Sequence, residues 1–144
     1  MKLIDVYTPL KGNVQKSAIS ILYSLLEERT SEESISHKGM PSLANHSAFI
    51  LSKPYLAWYF IEIPDIKPDE FIIVGGIYLT KQREIGVSIF NTHRRQGYGL
   101  KAIKLLMGKH PGEFLANINP ANEKSIELFT ELGFKHIQNT YRHE

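Results

Sequence analysis

Arg94-Arg95-Gln96-Gly97-Tyr98-Gly99 is the stretch on which the reading of this chain turns. Before it stands a β-branched run, Ile85-Gly86-Val87-Ser88-Ile89-Phe90. After it, Gly99, Ala102, Ile103 and Leu106 recur on one face of a helix. A strand therefore enters a helix through a turn that holds two glycines and two arginines. Such a turn gathers several backbone N–H groups at the positive end of a helix dipole. Glycine removes side chains where a ligand must pass close to the backbone. Arg94 and Arg95 add charge, and the combination suits a pyrophosphate. Taken alone, the turn reads equally well as a solvated helix start with basic decoration.

Two familiar phosphate motifs do not apply. Gly-x-x-x-x-Gly-Lys-Ser/Thr is absent from the chain. Gly97-Tyr98-Gly99-Leu100-Lys101-Ala102 matches Gly-x-Gly-x-x-Gly/Ala only in letters. The strands before it read as antiparallel, and the segment where an acidic ribose partner belongs is Asn119-Pro120-Ala121-Asn122.

Working outward, residues 1–7 read as a strand and residues 8–13 as a turn with Asn13 as N-cap. Val14, Ala18, Ile21, Leu22 and Leu25 recur at three and four residues, which predicts a helix to about Glu28. Residues 30–45 are polar and hold Gly39-Met40-Pro41, and they read as mostly loop, with a short helix the alternative; residues 46–51 fit either helix or strand. Strands are expected over residues 55–63, 71–80 and 83–90. Gly75-Gly76 signals a bulge or a close backbone approach in the second of them. In the third, Ile85, Val87 and Ile89 face one way, and Glu84, Gly86, Ser88 and Phe90 the other. The helix after Gly99 is expected to end at Gly108 and Pro111, with a strand following over residues 113–119. Asn122 caps a last helix that carries Ile126, Phe129 and Leu132. Gly133 sits at its C′ position, so that Phe134 folds back onto Phe129. Residues 135–141 read as a final strand. The order is that of an α/β domain over residues 1–144, with a mixed, largely antiparallel central sheet flanked by helices.

Composition narrows the functional classes. The chain has 144 residues, of which 42% are apolar, enough for one core. Seventeen Lys+Arg against 15 Asp+Glu leave a formal charge of +2, too mild for a dedicated nucleic-acid binder. Cysteine is absent, which excludes disulfides, zinc–thiolate sites, iron–sulfur clusters and a cysteine nucleophile. No metal site is expected. No apolar run reaches the length of a membrane span. Met1-Lys2-Leu3-Ile4 runs into Asp5 without a secretory h-region, so a cytoplasmic protein with no membrane partner is expected.

Arg94-x-x-Gly97-x-Gly99, followed by Asn119-Pro120-Ala121-Asn122-Glu123-Lys124-Ser125-Ile126-Glu127-Leu128-Phe129-Thr130-Glu131-Leu132-Gly133-Phe134, resembles the GNAT superfamily of acyl-CoA N-acyltransferases. The first element is similar to its pyrophosphate loop, and the second to its Asn-x-x-(Ser/Ala)…Leu-Tyr/Phe-x-x-x-Gly-Phe helix. The resemblance covers residues 84–134. It implies acetyl-CoA as co-substrate and direct attack of a neutral amine on the thioester. Ile89 and Phe90 would end a strand that splays from its neighbour and offers backbone to the pantetheine arm. Arg94, Arg95, Gln96, Gly97, Tyr98 and Gly99 would hold the pyrophosphate. Asn122 would bond the cofactor near the pantetheine, besides acting as N-cap. Lys101 and Lys104 read as a solvated helix face that also lies within reach of a CoA phosphate.

The reaction needs a base for the amine, a donor for the carbonyl oxygen and an acid for the leaving thiolate. By the same resemblance Glu84 is the base candidate, its alternative being a surface pair with Arg83 or Lys81. Many relatives carry the acid as a Tyr where this chain has Phe129, which has no proton to give. Three readings stay open: Ser125 bonds the sulfur, Tyr141 reaches in from the last strand, or the thiolate leaves unaided. Asn45-His46-Ser47-Ala48-Phe49 is similar to a His-bearing early helix of members that acetylate nucleotide-linked amino sugars, which would put His46 in the acceptor site. His93, in the turn before the glycines, reads as solvated. A small-molecule amine, an amino sugar by preference, is the expected acceptor, and a homodimer is a family expectation. A protein N-terminus or lysine as acceptor, a non-catalytic acyl-CoA-binding module and a nucleic-acid binder are the rival readings.

Overall fold

The computed structural model describes residues 1–8, 14–30 and 39–144. The turn expected over residues 8–13 and its cap Asn13 therefore lie outside the described residues, Thr8 excepted. The chain runs β1 (Lys2–Asp5), α1 (Val14–Glu27), α2 (Leu43–Leu51), β2 (Ala57–Pro64), β3 (Phe71–Leu79), β4 (Ile85–Ile89), α3 (Tyr98–Lys109) and α4 (Glu123–Glu131). Residues 46–51, open to two readings in sequence, are helical. Ser42 starts that helix by accepting a hydrogen bond from Asn45 N–H at 3.1 Å.

The four strands form one antiparallel sheet in the order β1-β2-β3-β4. Its two faces carry two apolar clusters. On one, Ile61, Val74, Ile77, Leu79 and Ile85 pack with Ala102, Ile103 and Leu106 of α3 and Phe129 of α4. On the other, Val6, Trp58 and Phe60 pack with Ala18, Leu22 and Leu25 of α1 and Ile50 of α2. Helices thus cover both faces, as the alternation along the strands demands.

Gly75-Gly76 does mark an irregularity. Ile61 pairs with Gly75 and Glu62 with Ile73, so Val74 is the extra residue of a bulge. Beside it the backbones close up. A Cβ at Gly75 would lie 2.2 Å from the Ser88 carbonyl oxygen, which leaves room for glycine alone.

Three expectations need correction. Residues 113–119 form no strand; a single parallel bridge joins Leu115 to Glu84. Phe114, Ala116 and Ile118 alternate because they pack on the core, so their period of two reports burial rather than ladder bonding. Residues 135–141 form no strand either. They find no partner edge, and Ile137 and Tyr141 stay 73% and 90% exposed. On α4, Ile126 points to solvent while Phe129 is buried. The C-terminus of α4 is as expected. Phe134 N–H donates to Phe129 C=O at 2.9 Å and Gly133 N–H to Thr130 C=O at 3.0 Å. The Phe129 and Phe134 rings meet edge to face.

Candidate active site

The site begins with the way β4 spends its backbone groups. Glu84 C=O accepts from Thr80 N–H, and Phe90 N–H donates to Val74 C=O, each at 2.9 Å. Alternate residues of an antiparallel pair direct their groups to opposite sides, so the even-numbered residues bond to β3 and the odd-numbered ones face the outer edge. There Ile85 N–H donates to Leu115 C=O at 2.8 Å, and Leu115 N–H to Arg83 C=O at 2.9 Å. After this bridge the chains part. The backbone groups of Val87 and the N–H of Ile89 have no hydrogen-bond partner among the described residues. An open strip of backbone results, and it leads straight into the glycine turn.

That turn is held at several points. Asn91–His93 makes one 3-10 turn, anchored where Asn91 N–H donates to Glu28 Oε1 at 2.7 Å. Arg94 Nε donates to Ile89 C=O at 3.0 Å, which ties the turn back to the strand. Arg95 and Gly97 both have left-handed backbone, φ +64° and +80°. Arg95 and Gln96 are exposed. Gly97 begins α3 without any side-chain cap, so the first N–H groups of the helix, from Tyr98 on, are left to a ligand or to water. The cradle carries positive partial charge and two guanidinium groups, and an anion is what it fits.

α4 meets the turn from the other side. A Cβ at Gly99 would lie 3.7 Å from Leu128 Cδ2, so the start of α3 sits against the middle of α4. Asn122 caps α4, its Oδ1 accepting from Ser125 N–H at 3.2 Å. Both Asn122 and Ser125 are half-buried. Phe129 is 5% exposed and wholly committed to the core. Lys101 and Lys104 are exposed on the outer face of α3.

Glu84 lies on the opposite face of the sheet from Ile85. Its carboxylate makes no hydrogen bond or ion pair among the described residues, because Arg83 is engaged elsewhere. The Arg83 guanidinium donates to Glu113 C=O at 2.9 Å and His110 C=O at 2.6 Å, and lies over the Phe114 ring. The surface pair with Arg83 is therefore not formed. Beside Glu84 stands an aromatic group that sequence reading missed as a unit. Tyr55 and Tyr78 stack at 4.1 Å with 6° between ring planes, and Trp58 packs edge-on against both. Burial pushes both phenols above their usual pKa. A usable signal was present in the sequence: Gly86, in the middle of β4, leaves room for a neighbour's ring.

His46 is 8% exposed between Tyr23 and Phe49, and its Nε2 has no hydrogen-bond partner. Burial pushes its pKa down. It shares a face of the molecule with Tyr55 and Trp58 through Phe49. His93 is half-buried in the turn. Tyr141 stands in the exposed C-terminal segment, so the last strand that was to bring it inward is missing. Among the described residues no group of three His, Asp or Glu side chains is placed to hold a metal. No described helix is long and apolar enough to cross a membrane.

The family described as FR47-like protein, which is GNAT-related, matches residues 80–143, less than half of the chain. The match begins at the β3–β4 turn and takes in β4, the glycine turn, α3 and α4. A domain from Methanocaldococcus jannaschii DSM 2661 superposes with a TM-score of 0.64 at 17% identity, over 96% of this chain and 92% of that one. The protein smu.2055 from Streptococcus mutans UA159 gives 0.63 at 15% identity, over 94% and 84%. The fold is GNAT-like. No curated protein matches the chain. The parted strand edge leads into the uncapped start of α3, and α3 packs at Gly99 against Leu128 of α4.

Proposed function

We propose that the protein is an acetyl-CoA-dependent N-acetyltransferase acting on a primary amine of a small molecule, with an amino sugar as the preferred class. The observation that carries this reading is the open edge of β4 running into an uncapped, arginine-flanked helix start. The free groups of Val87 and Ile89 suit the amides of a pantetheine arm. The N–H groups from Arg95 to Gly99 suit its pyrophosphate, with Arg94 and Arg95 adding charge. Asn122 keeps its amide N–H groups for the cofactor while its oxygen caps α4. Glu84, without an ionic partner, suits the removal of a proton from the attacking amine, directly or through a water. Ser125 is placed one turn from Phe129 and suits the sulfur.

A second reading, a non-catalytic acyl-CoA-binding module, is favoured by Phe129, which fills the acid's usual place with core packing. One experiment separates the two. Thermal unfolding is followed with acetyl-CoA, CoA, ATP and NAD at equal concentration, and CoA release is then measured with amines, for the native chain and Glu84→Gln. At about 100 times its dissociation constant a ligand stabilises the fold by about 2.7 kcal/mol. The enzyme reading expects shifts with both CoA species, turnover, and a loss in Glu84→Gln that is steepest at low pH. Shifts without turnover on any amine favour the module. No shift with either CoA species removes both.

A further inference from the structure

In the acetyltransferase reading Glu84 is the base, Phe129 offers no proton at the acid's usual position, and Ser125 is the candidate on α4 for the sulfur. The neighbouring strand supplies a second hydroxyl. Tyr78 pairs with Gly86 across β3 and β4. A Cβ at Gly86 would lie 2.0 Å from Tyr78 Cζ and 2.3 Å from its hydroxyl oxygen. Side chains of a sheet stand roughly perpendicular to it. Tyr78 instead leans across to the next strand, and its far end rests on the backbone of Gly86. Only glycine at that position permits this. The stack with Tyr55 and the edge of Trp58 hold the ring in its lean. Glu84 and Ser88 stand two residues either side of Gly86 on the same face, so the phenol lies between them. Among the described residues no further ladder forms beyond β4 after the Leu115 bridge. The hydroxyl has thus crossed to β4 at Gly86, one residue before Val87, where the open edge begins.

We propose that Tyr78 is the acid that protonates the departing thiolate, working beside Glu84 in the place of a tyrosine on α4. This rests on the acetyltransferase reading. The amine nitrogen forms a bond to the thioester carbonyl carbon and loses its proton to the Glu84 carboxylate. As the carbon–sulfur bond breaks, the Tyr78 hydroxyl gives its proton to the sulfur and CoA leaves as thiol. The proton held by Glu84 then returns to the Tyr78 phenolate, so both groups end as they began. Burial keeps the phenol protonated through the neutral range, and the Glu84 carboxylate acts in the same direction. Of the effects that bear on it, burial, the largest, and Glu84 from β4 oppose the phenolate, while Arg29 beyond α1 and the hydrogen bond with Tyr55 ahead of β2 favour it.

The test compares native protein with Tyr78→Phe, which keeps the ring, the stack and the contact with Gly86. CoA release from acetyl-CoA is followed with glucosamine and with hydroxylamine as acceptors, and acetyl-CoA affinity is measured alongside. The expected result is a fall in kcat of about 100-fold with both amines. Acetyl-CoA affinity and acceptor KM stay near native values. The native rate declines at alkaline pH as the acid ionises, and Tyr78→Phe lacks that limb. Replacing Tyr78 by a fluorinated tyrosine of lower pKa, a change that leaves packing nearly intact, moves the limb to lower pH. Full activity in Tyr78→Phe, or an alkaline limb indifferent to fluorination, overturns the proposal and leaves the acetyltransferase reading standing. Native protein that binds acetyl-CoA yet speeds its breakdown with neither amine also overturns it. Absence of acetyl-CoA binding overturns the underlying reading itself.

Discussion

At the scale of single residues, the informative positions are those where one side chain dictates the size or charge of another. Gly86 is small because Tyr78 lies across it, and Gly75 because Ser88 C=O abuts it. Glu84 has no ionic partner among the described residues, since Arg83 donates its guanidinium to the carbonyls of His110 and Glu113. Neither fact follows from the local run of letters, since each partner is brought in by strand pairing or a loop. His46 shows a different cost. Its Nε2 is buried without a partner, and burial pushes its pKa below the usual value. An unfolded chain takes up a proton near pH 6.5, roughly the ordinary histidine value, while the folded one resists until lower pH. The unfolded state thus binds more protons as pH falls, and stability declines in that direction. The melting temperature should therefore drop from about pH 7 to about pH 5, and less steeply in His46→Leu. An equal slope in the variant would move the effect to His110, whose pKa burial also lowers, aided by Arg83 and Lys109.

Elements behave according to where their hydrogen bonds go. α3 and α4 were legible because capping and periodicity are local: Asn122, Gly97 and Gly133 stand at their ends, and Ala102, Ile103 and Leu106 line one buried face. Residues 113–119 and 135–141 were misread because a strand is defined by its partner. The first packs its apolar residues without completing a ladder, and the second meets no edge. The misreading of the first bears on the proposed function, since a continuous ladder there would close the edge along which the pantetheine arm is proposed to lie. The turn between β4 and α3 makes its own prediction. Arg95 is exposed and lies at the uncapped start of α3. Arg95→Glu should weaken acetyl-CoA binding by 10-fold or more, roughly 1.4 kcal/mol, measured by calorimetry. Its own unfolding free energy should move by less than about 0.5 kcal/mol. Unchanged affinity would show that the pyrophosphate lies elsewhere.

Among the described residues the molecule is a sheet with one apolar cluster on each face, and the outer edge of β4 is left open past the single bridge to Leu115. Residues 135–144 take no part in either cluster. Removal of residues 136–144 should therefore leave unfolding free energy within about 0.5 kcal/mol of native. CoA release should persist as well, which would dismiss Tyr141 as acid. Loss of turnover with stability unchanged would reinstate it. Taken by itself, the sequence determined α1, the three strands β2 to β4 and their antiparallel character, the starts of α3 and α4 and the glycine turn that suits a pyrophosphate. These rest on local chemistry: apolar period, capping side chains, and glycine where backbone must be left open. Only the tertiary structure decided which edge of β4 stays open, that Phe129 belongs to the core, that Glu84 has no ionic partner among the described residues, and that Tyr78 leans over Gly86. Each of those depends on contacts between residues far apart in the chain, and no local pattern encodes which distant surface a strand or ring will meet.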